Sequence, residues 1–221
     1  TPLYSSAASD VYKRQVLLGR SAEMRVPVFS GLKACSRDWL KSLGAAMAAS
    51  GAVALYHVTG WTPEWLKGGS GGGGQLWREG KPEETVKVDG RQLKEAYSSL
   101  TTSPIEVPDL AFVGCPHCSV SEMEEVAQLM EGKKVKRGRR FWLCTSRHVK
   151  SLAEKGGLIT RLEAAGIKVY CDTCIIVTWL KEAGVDSIIT NSGKAAYYAP
   201  QFCKVEVVFD GLPEIVKKVT E

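Results

Sequence analysis

The sequence predicts an α/β protein whose mainly parallel sheet is covered on both faces. From Pro108 onward, short apolar runs alternate with amphipathic stretches of helical period. The apolar runs are nearly continuous rather than alternating with polar residues, as strands buried on both sides require. Size and composition permit such a core without disulfide staples: 221 residues, 44% hydrophobic and 24% charged.

In chain order, "RVPVFSGL" (25–32) is a short strand candidate, and "RDWLKSLGAAMAASG" (37–51) is helical. Trp39, Leu40, Leu43 and Met47 share one face of that helix, and Gly51 stops it. "AVALYHV" (52–58) reads as a buried strand leading into the turn-rich "TGWTPEW". "KGGSGGGGQ" (67–75) is a flexible loop by composition, and no Gly-Lys-Ser/Thr closes it into a P-loop. "ETVKVD" and the helix-like "GRQLKEAYSSL" follow. Beyond Pro108 the strands are "DLAFVG", "RFWLCTS", "KVYCDT", "SIITNS" and "VEVVFDG". The intervening helices are "SVSEMEEVAQLM", the stretch from "RHVKSLAEKGG" to "LITRLEAAG", "GKAAYYAP" and the closing "LPEIVKKVTE", while "CIIVTWLKEAG" is an apolar connection. The chain thus divides into a first α/β segment, 16–107, and a parallel α/β segment, 108–221. Residues 1–15, "TPLYSSAASDVYKRQ", resemble a translated sequencing-adaptor scar, so the natural N-terminus is expected to be missing.

Composition narrows the function classes. A net charge of +5 suits an anionic small molecule as well as a polyanion and gives no indication of nucleic acid. The basic run "GKKVKRGRRFW" reads as a solvated turn, without the interleaved aromatics that single-strand binding requires. No apolar run approaches the ~20 residues that span a bilayer, and no signal peptide opens the chain. Seven cysteines, an odd number in apolar contexts, suit reduced thiols or metal ligands of a cytoplasmic protein better than a disulfide framework.

In parallel α/β sheets the reacting groups lie just past the carboxyl ends of the strands. That rule marks Cys115 to Ser119, Thr145 to Arg147, Asp172 to Cys174, and Asn191 to Lys194. Two Cys-x-x-Cys pairs fall there, Cys115/Cys118 and Cys171/Cys174, with 52 residues between them. Thiolates at neighbouring strand ends can share a soft metal or a cluster, and Cys115 and Cys174 are the best placed. Packing explains Cys118, Cys144 and Cys203 better, and Cys35 suggests no role. Two other readings stay open on spacing alone. Cys115-Cys118 at a helix start could be a thiol–disulfide oxidoreductase dithiol, although the motif lies mid-chain and no antiparallel hairpin follows. A zinc-stabilised binding domain is the third, with a gap longer than the ~15–20 residues of zinc ribbons. "SVSEMEE" is a helix cap with carboxylates at the positive end. In "TNSGKAAYY", Ser192 and Gly193 open a helix whose free N–H groups can receive an anion, with Lys194 as a mobile cation.

As a set, "ALYHVTGWTPEW", "DLAFVGCPHCSVSEMEEVAQLM", "FWLCTSRHVKSLAEKG", "VYCDTC" and "TNSGKAAYYAP" resemble, in order, the catalytic-region motifs of the aconitase X family, from about Arg25 to the end. The resemblance implies an aconitase-like three-layer α/β/α fold. It also implies a cysteine-held iron–sulfur cluster and dehydration of a hydroxy acid or its phosphate ester, such as mevalonate 5-phosphate. Carried over by position, Cys115 and Cys174 match cluster cysteines, with Cys171 an additional or substitute ligand. Ser192, Lys194 and His57 match catalytic positions. Thr62, Glu64, His117, Ser119, Ser146 and Asn191, again with Ser192 and Lys194, match the substrate site. The partners implied are a small anionic metabolite and a small swivelling domain, fused or separate, which supplies a catalytic serine; neither nucleic acid nor membrane is among them. The family's upstream His-Ile-Asp-x-Cys-like segment, a source of a third ligand, is absent from the sequence, so turnover by this chain alone is not expected.

Overall fold

The computed structural model describes residues 26–66 and 85–220. The expected scar at 1–15 and the Gly-rich loop at 67–75 lie outside the described residues. In the first segment β1 (Val28–Phe29) pairs in parallel with β2 (His57–Val58). Only these short stretches of the two expected strands form a ladder. Ala52 takes the left-handed conformation and Ala54 and Leu55 are exposed, so the approach to His57 has no buried alternation to register. Between them runs α1 (Arg37–Gly51), whose N-cap Ser36 accepts from the Trp39 N–H at 3.0 Å. Its buried residues Leu43 and Met47 pack with Phe29, Val53 and Val58 in a small core of their own. The short α2 (Pro63–Leu66) follows β2, and α3 (Gly90–Ser98) starts at the Asp89–Gln92 capping box.

The second segment is the expected parallel sheet. Its strands are β3 (Leu110–Cys118), β4 (Arg140–Thr145), β5 (Lys168–Cys171), β6 (Ser187–Thr190) and β7 (Glu206–Phe209), in the order β5-β4-β3-β6-β7. Residue alternation assigns the two faces. Ala111, Val113, Phe141, Leu143, Ile189 and Val208 point to one layer, formed by α4 (Val120–Leu129), α5 (Arg147–Lys155), α6 (Leu158–Ala164) and α8 (Leu212–Val219). Leu110, Phe112, Cys144, Ile188 and Val207 point to the other, where α7 (Gly193–Phe202) and the 3₁₀ turn Ile175–Val177 pack. Burying Phe112 or Phe141 contributes about 1.5–3 kcal/mol apiece. The single long helix expected after β4 is two, divided at Gly156–Gly157.

Two features of the sheet position the site. First, β3 lies at the centre, so the chain leaves it for β4 on one side and later returns through β6 on the other. The crevice between the carboxyl ends of β3 and β6 is therefore the topological switch point, where ligands bind in such sheets. Second, β3 continues beyond Gly114, where the sequence suggested its end. Val113 pairs with Leu143 and Cys118 with Thr145, so β3 advances five residues while β4 advances two. The surplus is a bulge carrying Gly114, Cys115, Pro116 and His117. Gly114, at φ +113°, passes so close to β4 that an added Cβ would sit 2.8 Å from the Cys144 nitrogen and 2.9 Å from its carbonyl carbon. Above this rim lies α1, packed on α7 and β3.

Candidate active site

The bulge brings the Cys115 backbone to the β6–α7 turn. Ser192, 2% exposed, donates its hydroxyl proton to the Cys115 carbonyl and accepts from the Ala195 N–H at 3.0 Å, capping α7. Its own N–H donates to Thr190 Oγ1 at 3.1 Å. One hydroxyl therefore couples the ends of β3 and β6. Burial pushes the Cys115 thiol up, the Ser192 hydroxyl and the Lys194 charge pull it back, and Cys174 adds to the rise. Cys115 thus lies within electrostatic reach of both Lys194 and Cys174. Cys144 joins them: burial first, then Cys115, Cys174 and Cys171, push it to about 12. Cys203 also feels Cys174, after burial, and points its thiol at the carbonyls of Ile175 and Ile176.

The remaining rim residues are tied together by local bonds. His117 Nε2 lies 2.8 Å from the carbonyl of Thr173, the residue before Cys174. Ser119 caps α4 and forms a reciprocal box with Glu122. Ser146 caps α5. Asp172, held below the usual carboxylate range by Arg147, bonds that residue's N–H and guanidinium. Thr145 Oγ1 donates to the Cys118 carbonyl at 2.6 Å. The sequence-derived rim residues Cys115, His117, Cys171, Cys174, Asn191, Ser192 and Lys194 therefore come to one end of the sheet. His57, Thr62 and Glu64 lie at β2 and the turn that follows it. Thr62 Oγ1 exchanges bonds with the Val58 backbone, and the buried His57 Nδ1 has no hydrogen-bond partner among the described residues, with Glu64 Oε2 at 3.8 Å.

Beside the bulge opens a cavity of about 660 Å3, within the range of small-molecule sites. Cys115, Pro116, Asn191 and Ser192 form one wall and Asp38 and Trp39 of α1 another. Tyr97, which donates to Asp210 Oδ1 at 2.8 Å, also lines it. Asp210 closes β7 and was within reach of the strand-end rule; Trp39 and Tyr97 carried no signal beyond helical period. The walls hold four carboxylates, Asp38, Glu122, Glu125 and Asp210.

The dithiol reading fails on this geometry. Cys115 lies within β3, five residues before α4 begins, and Cys118 is fully enclosed, its thiol pushed well above the usual range chiefly by burial. Neither is a ready thiolate. Among the described residues no three His, Cys, Asp or Glu side chains are disposed to hold one metal ion. The donor set nonetheless fits part of a cluster: two soft thiols from separate motifs, Cys115 buried and Cys174 half-buried, with a lysine at hand to offset thiolate charge.

A parallel α/β sheet with thiols and a helix start at its switch point is an α/β scaffold of the kind that binds ligands at that point. Residues 16–98 match the family profile for the aconitase X second domain and residues 108–221 that for the aconitase X third domain. The chain belongs to the aconitase X family. It is 40% identical over 205 residues to the phosphomevalonate dehydratase large subunit of Methanocaldococcus jannaschii, covering 91% of this chain and 48% of that protein. It is 32% identical over 205 residues to the cis-3-hydroxy-L-proline dehydratase of Pseudomonas aeruginosa, covering 91% of this chain and 34% of that protein. The crystal structure of Thermococcus kodakaraensis aconitase X in its holo-form superposes with a TM-score of 0.82 at 32% identity, over 96% of this chain and 52% of that one. The chain thus spans about half the length of the phosphomevalonate dehydratase large subunits it matches. No described helix is long and apolar enough to cross a membrane.

Proposed function

We propose that this chain is the cluster-bearing part of a cytoplasmic iron–sulfur hydro-lyase that removes water from a hydroxy acid or its phosphate ester, with phosphomevalonate the favoured substrate. The observation that carries the reading is the convergence of Cys115 and Cys174, from motifs far apart in sequence, at the switch point beside Ser192 and Lys194. Substrate class follows the relatives, several of which are phosphomevalonate dehydratase large subunits at higher identity than the hydroxyproline enzymes.

Cys115 and Cys174 would hold the cluster, with Cys171 at the end of β5 as an additional or substitute ligand and further donors from outside the described residues. When bound, the cluster supplies a Lewis-acid iron that makes a hydroxyl a better leaving group. The chain's own residues bind and orient. The first turn of α7, with its free N–H groups and the Lys194 ammonium, attracts a phosphate or carboxylate away from the acidic cavity wall. Asn191, half-buried in that wall, is placed to donate a hydrogen bond to the bound molecule. Ser192 sets the Cys115 backbone, and this use of its proton gives it a positioning role before a chemical one. His117, Ser119 and Ser146 act through the loops they brace. His57, as the catalytic position, and Thr62 and Glu64, as substrate contacts, would act from β2 and the turn after it, where His57 Nδ1 lies 3.8 Å from Glu64 Oε2. The large-subunit name of the relatives supports a small-subunit or fused-domain partner that completes the site.

Anaerobic purification with iron and acid-labile sulfide analysis tests the reading. Iron and sulfide together in the wild-type protein, and loss of both from Cys115→Ser and Cys174→Ser, are expected. Zinc without sulfide, or a colourless protein that reduces insulin disulfides, would sink it.

A further inference from the structure

Lys41 lies in α1, in a different segment of the chain from every cysteine of the rim, yet it reaches the β3 bulge. Its Nζ donates to the His117 carbonyl at 3.0 Å and pairs with Glu122 Oε2 at 2.5 Å and Asp38 Oδ1 at 3.2 Å. An ammonium has three N–H donors, and all three are used. The acceptors are themselves held: Glu122 accepts from the Ser119 N–H at 2.8 Å, and Asp38 from Ser121 Oγ at 2.6 Å. The brace continues past the bulge. Because a carbonyl can only accept, His117 Nε2 carries the proton that it donates to Thr173, one residue before Cys174. His117 thus has its backbone tied to α1 and its ring tied to the β5 loop. Cys115 stands two residues before His117 in the chain and Cys174 one residue after Thr173, so each tie adjoins one of the two thiols.

We propose that Lys41 is a positioning residue for the cysteine rim, and that His117 transmits its hold, so that the two-segment brace sets the separation of Cys115 and Cys174. The inference rests on the cluster reading for its purpose, but the separation of the two thiols can be measured without any metal. The Coulombic web is partly shielded from water, so removing the cation leaves Asp38 and Glu122 facing each other and the His117 carbonyl without its donor. The bulge then loses its tie to α1, and Cys115 moves with it.

The experiment uses the full chain in two states. In metal-free protein, the rate at which dibromobimane links Cys115 to Cys174 is followed by peptide mapping. In protein loaded anaerobically with iron and sulfide, the rate of iron release to a chelator is followed by the visible absorbance. Lys41→Met, which keeps the stem and removes the charge, is expected to slow cross-linking and to speed iron release by about 10-fold, the usual effect of losing a group that orients metal ligands. Lys41→Arg is expected to restore part of both. Should Lys41→Met fail to fold by circular dichroism, His117→Ala and His117→Gln replace it: Gln places a donor where Nε2 stood, so only Ala should slow the cross-link. A wild-type protein whose two thiols cannot be linked overturns the brace, as does a folded Lys41→Met that cross-links and holds iron at wild-type rates. Normal cross-linking with no uptake of iron and sulfide by the wild type removes the cluster reading instead, and leaves the brace supported if Lys41→Met still slows the link.

Discussion

Gly114→Ala puts the geometry of the bulge at risk with one methyl group. Two penalties add. At φ +113° an L side chain is strained, which costs about 1–3 kcal/mol. The new Cβ would also stand 2.8 and 2.9 Å from the Cys144 nitrogen and carbonyl carbon, and nearer still to its oxygen. These are backbone atoms in the middle of a ladder and cannot rotate away, so β3 and β4 must part locally at about 1–3 kcal/mol, as for an overpacked core. Reduced freedom of the unfolded chain returns about 0.4–1 kcal/mol. The net loss is about 1–5.5 kcal/mol, centred near 3, or roughly 2–22 °C in Tm for a protein of this size. Thermal unfolding followed by far-ultraviolet circular dichroism measures it. Gly138→Ala is the control, because Gly138 also has positive φ (+84°) but nothing within 4 Å of the added carbon. Strain of about 1–2 kcal/mol, less the same return of about 0.4–1 kcal/mol from the unfolded chain, should leave a loss of about 0–1.5 kcal/mol. If the two variants melt together, the close approach of the bulge to β4 is wrong, and with it the placement of Cys115.

Ser192→Ala removes a helix cap and the donor to the Cys115 carbonyl at a nearly water-free position; a loss of about 2–3 kcal/mol is expected in urea unfolding, and one under 0.5 kcal/mol would contradict the bonds described here. Asp109 links the amino ends of β3 and β6 by accepting from Ser187 Oγ at 2.9 Å and from the Asp186 and Ser187 N–H groups at 3.0 Å each. Burial alone would raise its pKa, but these bonds hold it below the usual value. Since the folded-state pKa is the lower one, its stabilisation is complete above the unfolded value of ~3.9 and is lost as pH falls through the folded value. Asp109→Asn should therefore cost about 1–2 kcal/mol at pH 7, discounted for partial exposure, and the gap to wild type should narrow below about pH 4; a gap independent of pH would refute the assignment.

The sequence by itself determined what depends on near neighbours. Period and β-branching marked the strands of the second segment, since a strand buried on both faces must be apolar throughout. Ser119 and Ser192 announced helix starts because a cap is a contact over three residues, the same contact that Ser36 and Asp89 make in the structure. Motif resemblance carried the family and the cysteines worth watching. Local pattern overreached at β1 and β2, where apolar residues offered strands longer than the pairing available. It stopped short at Gly114, because a bulge is visible only once β4 is alongside.

Only the tertiary structure decided the order β5-β4-β3-β6-β7, which is set by pairing between residues far apart in the chain and puts the switch point between Cys115 and Ser192. It alone placed Lys41 under the His117 carbonyl and set His57 Nδ1 3.8 Å from Glu64 Oε2. Charge and hydrogen-bonding capacity are written in each residue, but which partner meets them is fixed by how layers pack, and that is a property of the whole sheet and its covering helices.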